Sequence, residues 1–417
     1  MTRSLGVLSR RWVQVLLLCI GLSSHAVFQA APAAKEVWAT KHGRDFASYY
    51  YAVEAATHGK DPYATRALSA QARAEHTRQS VNPYFYPPPF LFTVAWATPL
   101  DLPTAYRGMF VLNELLLGAC LFVLARGFAV PLGVLGAILV AWSPIPDNAK
   151  MGQANLIALL PALLGLWAAR TRPWLGGTLL GAAAMFKMSP ALFLLYWALK
   201  RQWRPCIAAC VTAVGLTVLS LVLCPLPTQL EFYLDVLPGF ANGDYFGLEV
   251  PIGLPANHSI PDVFNTLWPG TSKTALSPTA LLFSRVAILG ALGAWAARAW
   301  RSSDPAADIR ALGALTVLMV IIPTYAYEHH LVFLLLPIAA LLTSAWDDVM
   351  SGDIHPVRDI ASVLAVLVAG WPLALVTEMI ASAPAWSRVP LREVKFVALL
   401  VVFGLLLAPW TRRRPRV

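Results

Sequence analysis

GRDFASYYYAVEA, residues 43–55, stands shortly after the first long apolar run of the chain, VQVLLLCIGL (13–22). Its reading decides the fold, because an aspartate and three tyrosines so close to an apolar run mark the mouth of a membrane span. The pattern predicts a short helix over 45–57, with Tyr49, Ala52 and Ala56 on the face of Asp45. Gly59 and Pro62 suit its end. Asp45 itself has three candidate roles: helix cap, solvated loop residue or catalytic base. Aspartate is a good N-cap, worth about 1 kcal/mol, but Ser48 does not complete a capping box, which needs Glu or Gln.

Composition sets the context. The chain has 417 residues, 58% hydrophobic and 13% charged, with mean hydropathy +0.61. Soluble domains carry about a quarter charged residues, so this chain reads as an all-α polytopic membrane protein, a single domain over 1–417. The net charge of +10 acts in topology and toward anionic headgroups. No basic face with interleaved aromatics argues for nucleic acid. Cys19, Cys120, Cys206, Cys210 and Cys224 are odd in number and contain no C-x-x-C, so neither a disulfide framework nor a metal site follows.

The N-terminal MTRSLGVLSRRW with its apolar sequel fits a cleavable signal peptide or an uncleaved first span. Either way the N-terminus is expected in the cytoplasm and the chain beyond about residue 31 outside. Further apolar segments run at 104–125, 128–143, 153–170, 173–186, 188–200, 205–224, 276–299, 309–324, 330–345, 357–380 and 393–410. With the first they predict about twelve transmembrane or re-entrant helices. Arg170, Arg172, the KRQWR cluster (200–204), Arg298, Arg301 and the tail TRRRPRV all fall on the cytoplasmic side if 88–100 is re-entrant or interfacial, whereas a spanning 88–100 would move Arg170 and Arg172 outside, against the positive-inside tendency. Both termini are then cytoplasmic. Five segments share the outer face: 32–88, 143–153, 186–190, the large loop 225–275, and 323–330.

Those segments hold the unusual polar residues. Lys187, inside an apolar stretch, either snorkels at a helix end or meets an anionic headgroup such as a lipid phosphate. His329 and His330 project about 100° apart on a helix, so one can face a site while the other packs; both can also be interfacial histidines without a ligand. Gln153 and Asn155, like Asp147, flank the start of a span and either bridge helices or line a site. Asn257-His258-Ser259 matches a glycosylation sequon, a pattern too short to be specific. No phosphate-binding Gly-rich loop, H-E-x-x-H or G-x-S-x-G is present.

The order of these features resembles the polyprenol-phosphate-sugar-dependent membrane glycosyltransferases of GT-C type, most closely glycosyltransferase family 87, which contains mannosyltransferases of actinobacterial phosphatidylinositol mannosides. The matching stretches are RDFASYYYAVEAATHGKDPY (44–63), FYPPPF (85–90), MGQANLIALLPALL (151–164), GAAAMFKMSPALFLLYWALKRQWR (181–204), NHSI (257–260) and YEHHLVFLLLP (327–337). The resemblance implies a GT-C fold with outer-face loops forming the active site. It also implies a plasma-membrane location, an inverting hexosyl transfer from a polyprenyl-phosphate sugar to a lipid or glycan acceptor, and no nucleotide or metal cofactor. The catalytic aspartate falls on Asp45. Arg44, Lys187, His329 and His330 become donor-phosphate candidates, with His330 preferred for the family's histidine. Tyr49, Tyr86, Gln153, Asn155, Asn257 and Ser259 become substrate-lining candidates. The family's lysine-proline pair reads here Lys187-Met188-Ser189-Pro190, and its asparagine-glutamine-serine reads Asn257-His258-Ser259. Two other classes share the many spans: a transporter or lipid-linked-sugar flippase, which would gather polar residues at the midplane in matching halves, and a non-catalytic scaffold.

Overall fold

Apolar runs bounded by proline and by short polar caps become helices here, and no strand forms among the described residues. The computed structural model describes residues 11–40, 43–242, 251–301 and 304–408. Arg3, Arg10, Lys41, His42 and the tail TRRRPRV lie outside them.

The first helix, α1 (Arg11–Thr40), is longer than the sequence pattern suggests. Residues 32–40, expected in the outer loop, continue it. Alanines favour that extension, and a wider π turn at His25–Ala30 ends two residues before Pro32, which removes one N–H from the ladder. Next come α2 (Arg44–Thr57) and three short helical turns spanning Pro88–Ala97, followed by α3 (Leu102–Gly127). Asp101 caps α3 by accepting the Thr104 N–H at 3.0 Å. Then follow α4 (Pro144–Met151), α5 (Asn155–Ala168), α6 (Pro173–Phe186), α7 (Trp203–Val222), α8 (Pro278–Trp300), α9 (Pro305–Ile321), α10 (Glu328–Ser351) and α11 (Val394–Leu407).

Among the described residues, five helices are long and apolar enough to cross a membrane: α1, α3, α7, α8 and α10. The apolar stretch expected as one span at 357–380 is instead two helices, Pro356–Ala369 and Leu373–Ser382, bent by 86° at a break that holds Gly370 and Pro372. Counted as one, the pair makes six candidates. Six further apolar helices among the described residues, α5, α6 and α11 included, have 10–17 residues, short of the ~20 that cross ~30 Å of hydrocarbon. Pro88–Ala97 belongs to this short class.

Burial sorts the spans. α10 is 72% buried, whereas α1 and α8 are 17% buried. Thus α10 and the buried, largely apolar stretch 311–321 of α9 form the centre, and α1, α7 and α8 present Leu16, Phe28, Val211, Val214 and Leu289 outward. Such a surface matches a bilayer as solvent. A second cluster, built from Phe46, Tyr51, Tyr84, Phe90 and Tyr106, packs α2 onto α3 beside this core. The three tyrosines after Asp45 are therefore structural: Tyr49, Tyr50 and Tyr51 are all buried in this cluster. Tyr50 donates to the Leu100 carbonyl (2.8 Å) and Tyr51 to the Glu75 carboxylate (2.8 Å), tying down the segment that follows α2.

α1 docks on the helix Leu132–Ala141 by backbone contact. A Cβ at Gly136 would overlap the Leu17 carbonyl, and one at Gly21 would overlap Gly136 itself. Gly136→Val should therefore separate these helices at a cost of about 1–3 kcal/mol. A lower unfolding midpoint in detergent is the expected result, and an unchanged midpoint would show that this approach is not required.

Candidate active site

Asp45 sits in the first turn of α2, two residues past the actual cap. Gly43 takes the cap position in extended conformation, and its carbonyl accepts the Ala47 N–H at 3.2 Å. The capping role considered for Asp45 is thus corrected: the chain enters helix one residue earlier than expected, and the carboxylate is turned away from the backbone. Its charge still favours the positive end of α2. Oδ1 accepts from the Asn82 amide and Oδ2 from the Gln153 amide, both at 2.7 Å.

Gln153 reaches Asp45 because α4 stops abruptly. Gly152 ends it in the left-handed region (φ +65°), and an added Cβ would also meet the Phe46 Cβ at 2.6 Å. The next residue is swung inward before α5 begins. Its carboxamide is fully used. The nitrogen donates to Asp45 and to His329 Nε2 (3.1 Å), so that ring nitrogen is an acceptor. The oxygen receives the Tyr49 and Tyr86 hydroxyls at 3.0 and 3.1 Å, and those hydroxyls lie 2.7 Å apart.

Lys187 occupies the turn after α6, outside the candidate spans, with an extended backbone that breaks the helix. It does not snorkel outward. Its ammonium bonds the Asn155 side-chain oxygen, lies 3.4 Å from the Tyr86 hydroxyl and 5.4 Å from that ring's centre. Burial pushes its pKa down to about 7, against the opposing pull of Asp45. Asn155 stands behind Lys187. Its amide bonds the Asn148 oxygen (2.9 Å) and the His329 carbonyl (2.8 Å), and Asn148 continues to Asn113 on α3 (2.8 Å). Asn155 thus bridges elements, whereas Gln153 both bridges and lines.

His330 Nδ1 accepts the Tyr327 N–H at 3.2 Å, which leaves Nε2 as the donor of the neutral ring. Both histidines line a cavity of about 190 Å³ together with Asp45, Tyr49, Tyr86, Gln153 and Lys187. Segments distant in sequence therefore meet at one end of the helices. Arg44 is exposed and stays outside this lining. Asn257 and Ser259 also stand behind the wall. Asn257 donates to the Ile252 and Thr324 carbonyls (both 3.0 Å) and accepts the Ala326 N–H (2.8 Å); Ser259 donates to Thr324 O (2.9 Å). At 1% exposure Asn257 is also no surface acceptor for a glycan.

Sequence reading missed Asn82, hidden in an aromatic and proline-rich stretch, and Glu328. Glu328 is buried between His258 Nε2 (3.0 Å) and the fully buried Lys395 of α11, whose ammonium also donates to the Trp371 carbonyl at 2.6 Å. Beside it, Arg392 reaches both oxygens of Asp262 at 2.6 and 2.7 Å. The Lys395–Glu328 pair fastens α11 to the turn that carries His329 and His330, and the Arg392–Asp262 pair fastens the residues before α11 to the helix Ile260–Leu267. Among the described residues, no group of three His, Cys, Asp or Glu side chains gathers in metal-binding geometry.

Removing one partner of such a buried pair strands a charge. Lys395→Met should destabilise the protein by about 3–5 kcal/mol. Adding Glu328→Gln should recover most of that loss, a coupling that thermal unfolding of the single and double variants would measure.

The sequence pattern of glycosyltransferase family 87 matches residues 84–323, more than half of the chain. A polyprenol-phosphate-mannose-dependent alpha-(1-2)-phosphatidylinositol mannoside mannosyltransferase of Mycolicibacterium smegmatis is 28% identical over 294 residues, 65% of this chain and 64% of the relative. A protein of the same name from Mycobacterium tuberculosis is 32% identical over 170 residues, 36% of this chain and 39% of the relative. A pentamannoside mannosyltransferase of M. smegmatis is 30% identical over 206 residues, covering 48% and 46%. The chain thus spans less than two thirds of the length of each of these relatives. Asp45, His329 and His330 lie outside the family match, at its two flanks, while Tyr86, Gln153, Asn155 and Lys187 lie within it. The chain belongs to glycosyltransferase family 87.

Proposed function

We propose that this protein is a membrane hexosyltransferase, acting on mannose by analogy with its relatives. It takes the sugar from a polyprenyl phosphate and delivers it to a hydroxyl of a lipid or glycan acceptor. The reaction site faces the extracytoplasmic side of the plasma membrane, with both termini cytoplasmic. The observation that carries this reading is the setting of Asp45. Each carboxylate oxygen holds one amide hydrogen bond, which fixes the group in the cavity and leaves lone pairs for a further proton.

The chemistry follows from the charges. The acceptor oxygen attacks the anomeric carbon as its proton passes to Asp45, the general base. A new C–O bond forms to the acceptor while the C–O bond to phosphate breaks, and the electron pair leaves on the lipid phosphate. Lys187 and the Nε2–H of His330 stabilise that anion. A double displacement would call for a second carboxylate as nucleophile, by the logic of retaining glycosidases. Asp45 is the lone carboxylate among the described residues lining the cavity, which supports one displacement with inversion.

Asp45→Asn keeps the shape of the side chain and removes the base. Sugar transfer from a polyprenyl-phosphate mannose should fall by about 10²–10⁴, with expression retained and the unfolding midpoint only modestly lowered, because the new amide nitrogen can no longer accept from both Asn82 and Gln153. Near-normal transfer by this variant would sink the assignment.

Lys187 adds a pH dependence. With a pKa near 7 in the free enzyme, its cation is present below that value and lost above it, rather than near the usual ~10.4. The phosphate prefers the cation, so kcat/KM for the donor should decline as pH rises through about 7. Lys187→Arg, charged throughout, should flatten this limb. Its persistence in the arginine variant would show that another group titrates.

A further inference from the structure

TYAY, residues 324–327, precedes the two histidines and runs extended. One edge of its backbone is clamped. The Thr324 carbonyl accepts from Asn257 and Ser259, the Ala326 N–H donates to Asn257, and the Ala326 carbonyl accepts the His258 N–H at 2.9 Å. Tyr327 forms an antiparallel bridge with Asn257. Alternate residues of an extended segment face the same side, so Tyr325 and Tyr327 project together. That side is the cavity, which both side chains line.

Their hydroxyls are unusual. Both oxygens are shut off from solvent, and neither has a hydrogen-bond partner among the described residues. Tyr325 is 2% exposed as a whole. Other buried tyrosines of this region are all bonded: Tyr49 to Gln153, Tyr50 to Leu100, Tyr51 to Glu75 and Tyr63 to Tyr86. A buried phenol normally finds a partner, because an unmade hydrogen bond is expensive. Two such groups on one wall of one cavity therefore point to a ligand that completes them.

The surroundings say what kind of ligand. Phe85 and Phe240 have ring centres 4.6 Å apart, Phe240 and Tyr325 5.5 Å, and Tyr325 and Tyr327 5.8 Å. The row ends on His330, 6.2 Å from Tyr327 and nearly parallel to it. A continuous aromatic wall with polar tips suits a flat, partly apolar ring that carries hydroxyls. It does not suit the phosphate, for which Lys187 stands ready, nor a polyprenyl tail, which has no use for the hydroxyls.

We propose that Tyr325 and Tyr327 are specificity-determining residues that hydrogen-bond the ring hydroxyls of a pyranose, and that Asn257 and Ser259 act as positioning residues by clamping the segment that carries them. This rests on the transferase reading of the same cavity. The pyranose is either the sugar being transferred or a sugar of the acceptor, since both offer the same chemistry.

The test compares full-length wild type with Tyr325→Phe and Tyr327→Phe. Transfer is measured from polyprenyl-phosphate mannose and its monodeoxy analogues to a phosphatidylinositol mannoside and its monodeoxy analogues. Each variant should lose about tenfold in kcat/KM with the complete substrates. Each should also stop distinguishing one particular hydroxyl, so that the penalty for the matching deoxy sugar disappears. Loss of that penalty in the donor series assigns the phenols to the transferred sugar, and loss in the acceptor series assigns them to the acceptor. The unfolding midpoint of the free protein should stay level or rise, because an orphan hydroxyl has been removed. Deoxy penalties equal to wild type, or a fall of several degrees in the midpoint, would overturn the proposal and leave the transferase reading standing. No transfer by wild type from the unmodified donor would instead overturn that reading, and this assignment with it.

Discussion

The carboxamide of Gln153 is the fixed point of this molecule. Its nitrogen holds Asp45 and His329, and its oxygen holds Tyr49 and Tyr86. One side chain thereby links α2, the aromatic turn before Pro88–Ala97, the junction of α4 with α5 and the start of α10. A carboxamide is suited to this because it offers two donors and an acceptor in one plane without a charge to neutralise. In an apolar surrounding every one of those capacities must be filled. Filling them here fixes Asp45 and His329 relative to each other, although 284 positions of sequence separate them and no backbone ladder joins them.

The same rule explains how far the sequence could be read. Asp45, Lys187, Gln153 and the histidine pair stand out as polar residues in an apolar chain, and polar groups that share one end of a helical membrane protein tend to find one another. Asn82 gave no such signal, because it sits among prolines and tyrosines that already suggest an interfacial turn. Asn257 and Ser259 stand out through a sequon-like tripeptide and the family's motif, yet they serve the backbone of the neighbouring segment. Sequence pattern marks a buried polar side chain but not whether its partner is a ligand or the next segment of chain. Helix ends were similarly half legible. Gly370 and Pro372 break a run whose apolar content reads as continuous, and Ala-rich residues past 31 extend α1 into what polarity alone marks as loop.

The site also draws on parts of the chain that the family pattern does not reach. His329 lies beyond residue 323, and its turn is held from below by Glu328, which is paired to Lys395 on α11 and to His258. Burying that lysine is costly unless its partners are fixed, so α11 is committed to one position against α10. A catalytic geometry needs such commitment, because small displacements of the reacting groups cost large factors in rate. The last helices look like generic apolar spans in composition, yet through the Lys395–Glu328 pair they hold the histidine turn. What distinguishes them is a single charged residue, Lys395, placed where only a countercharge on another helix can make it tolerable.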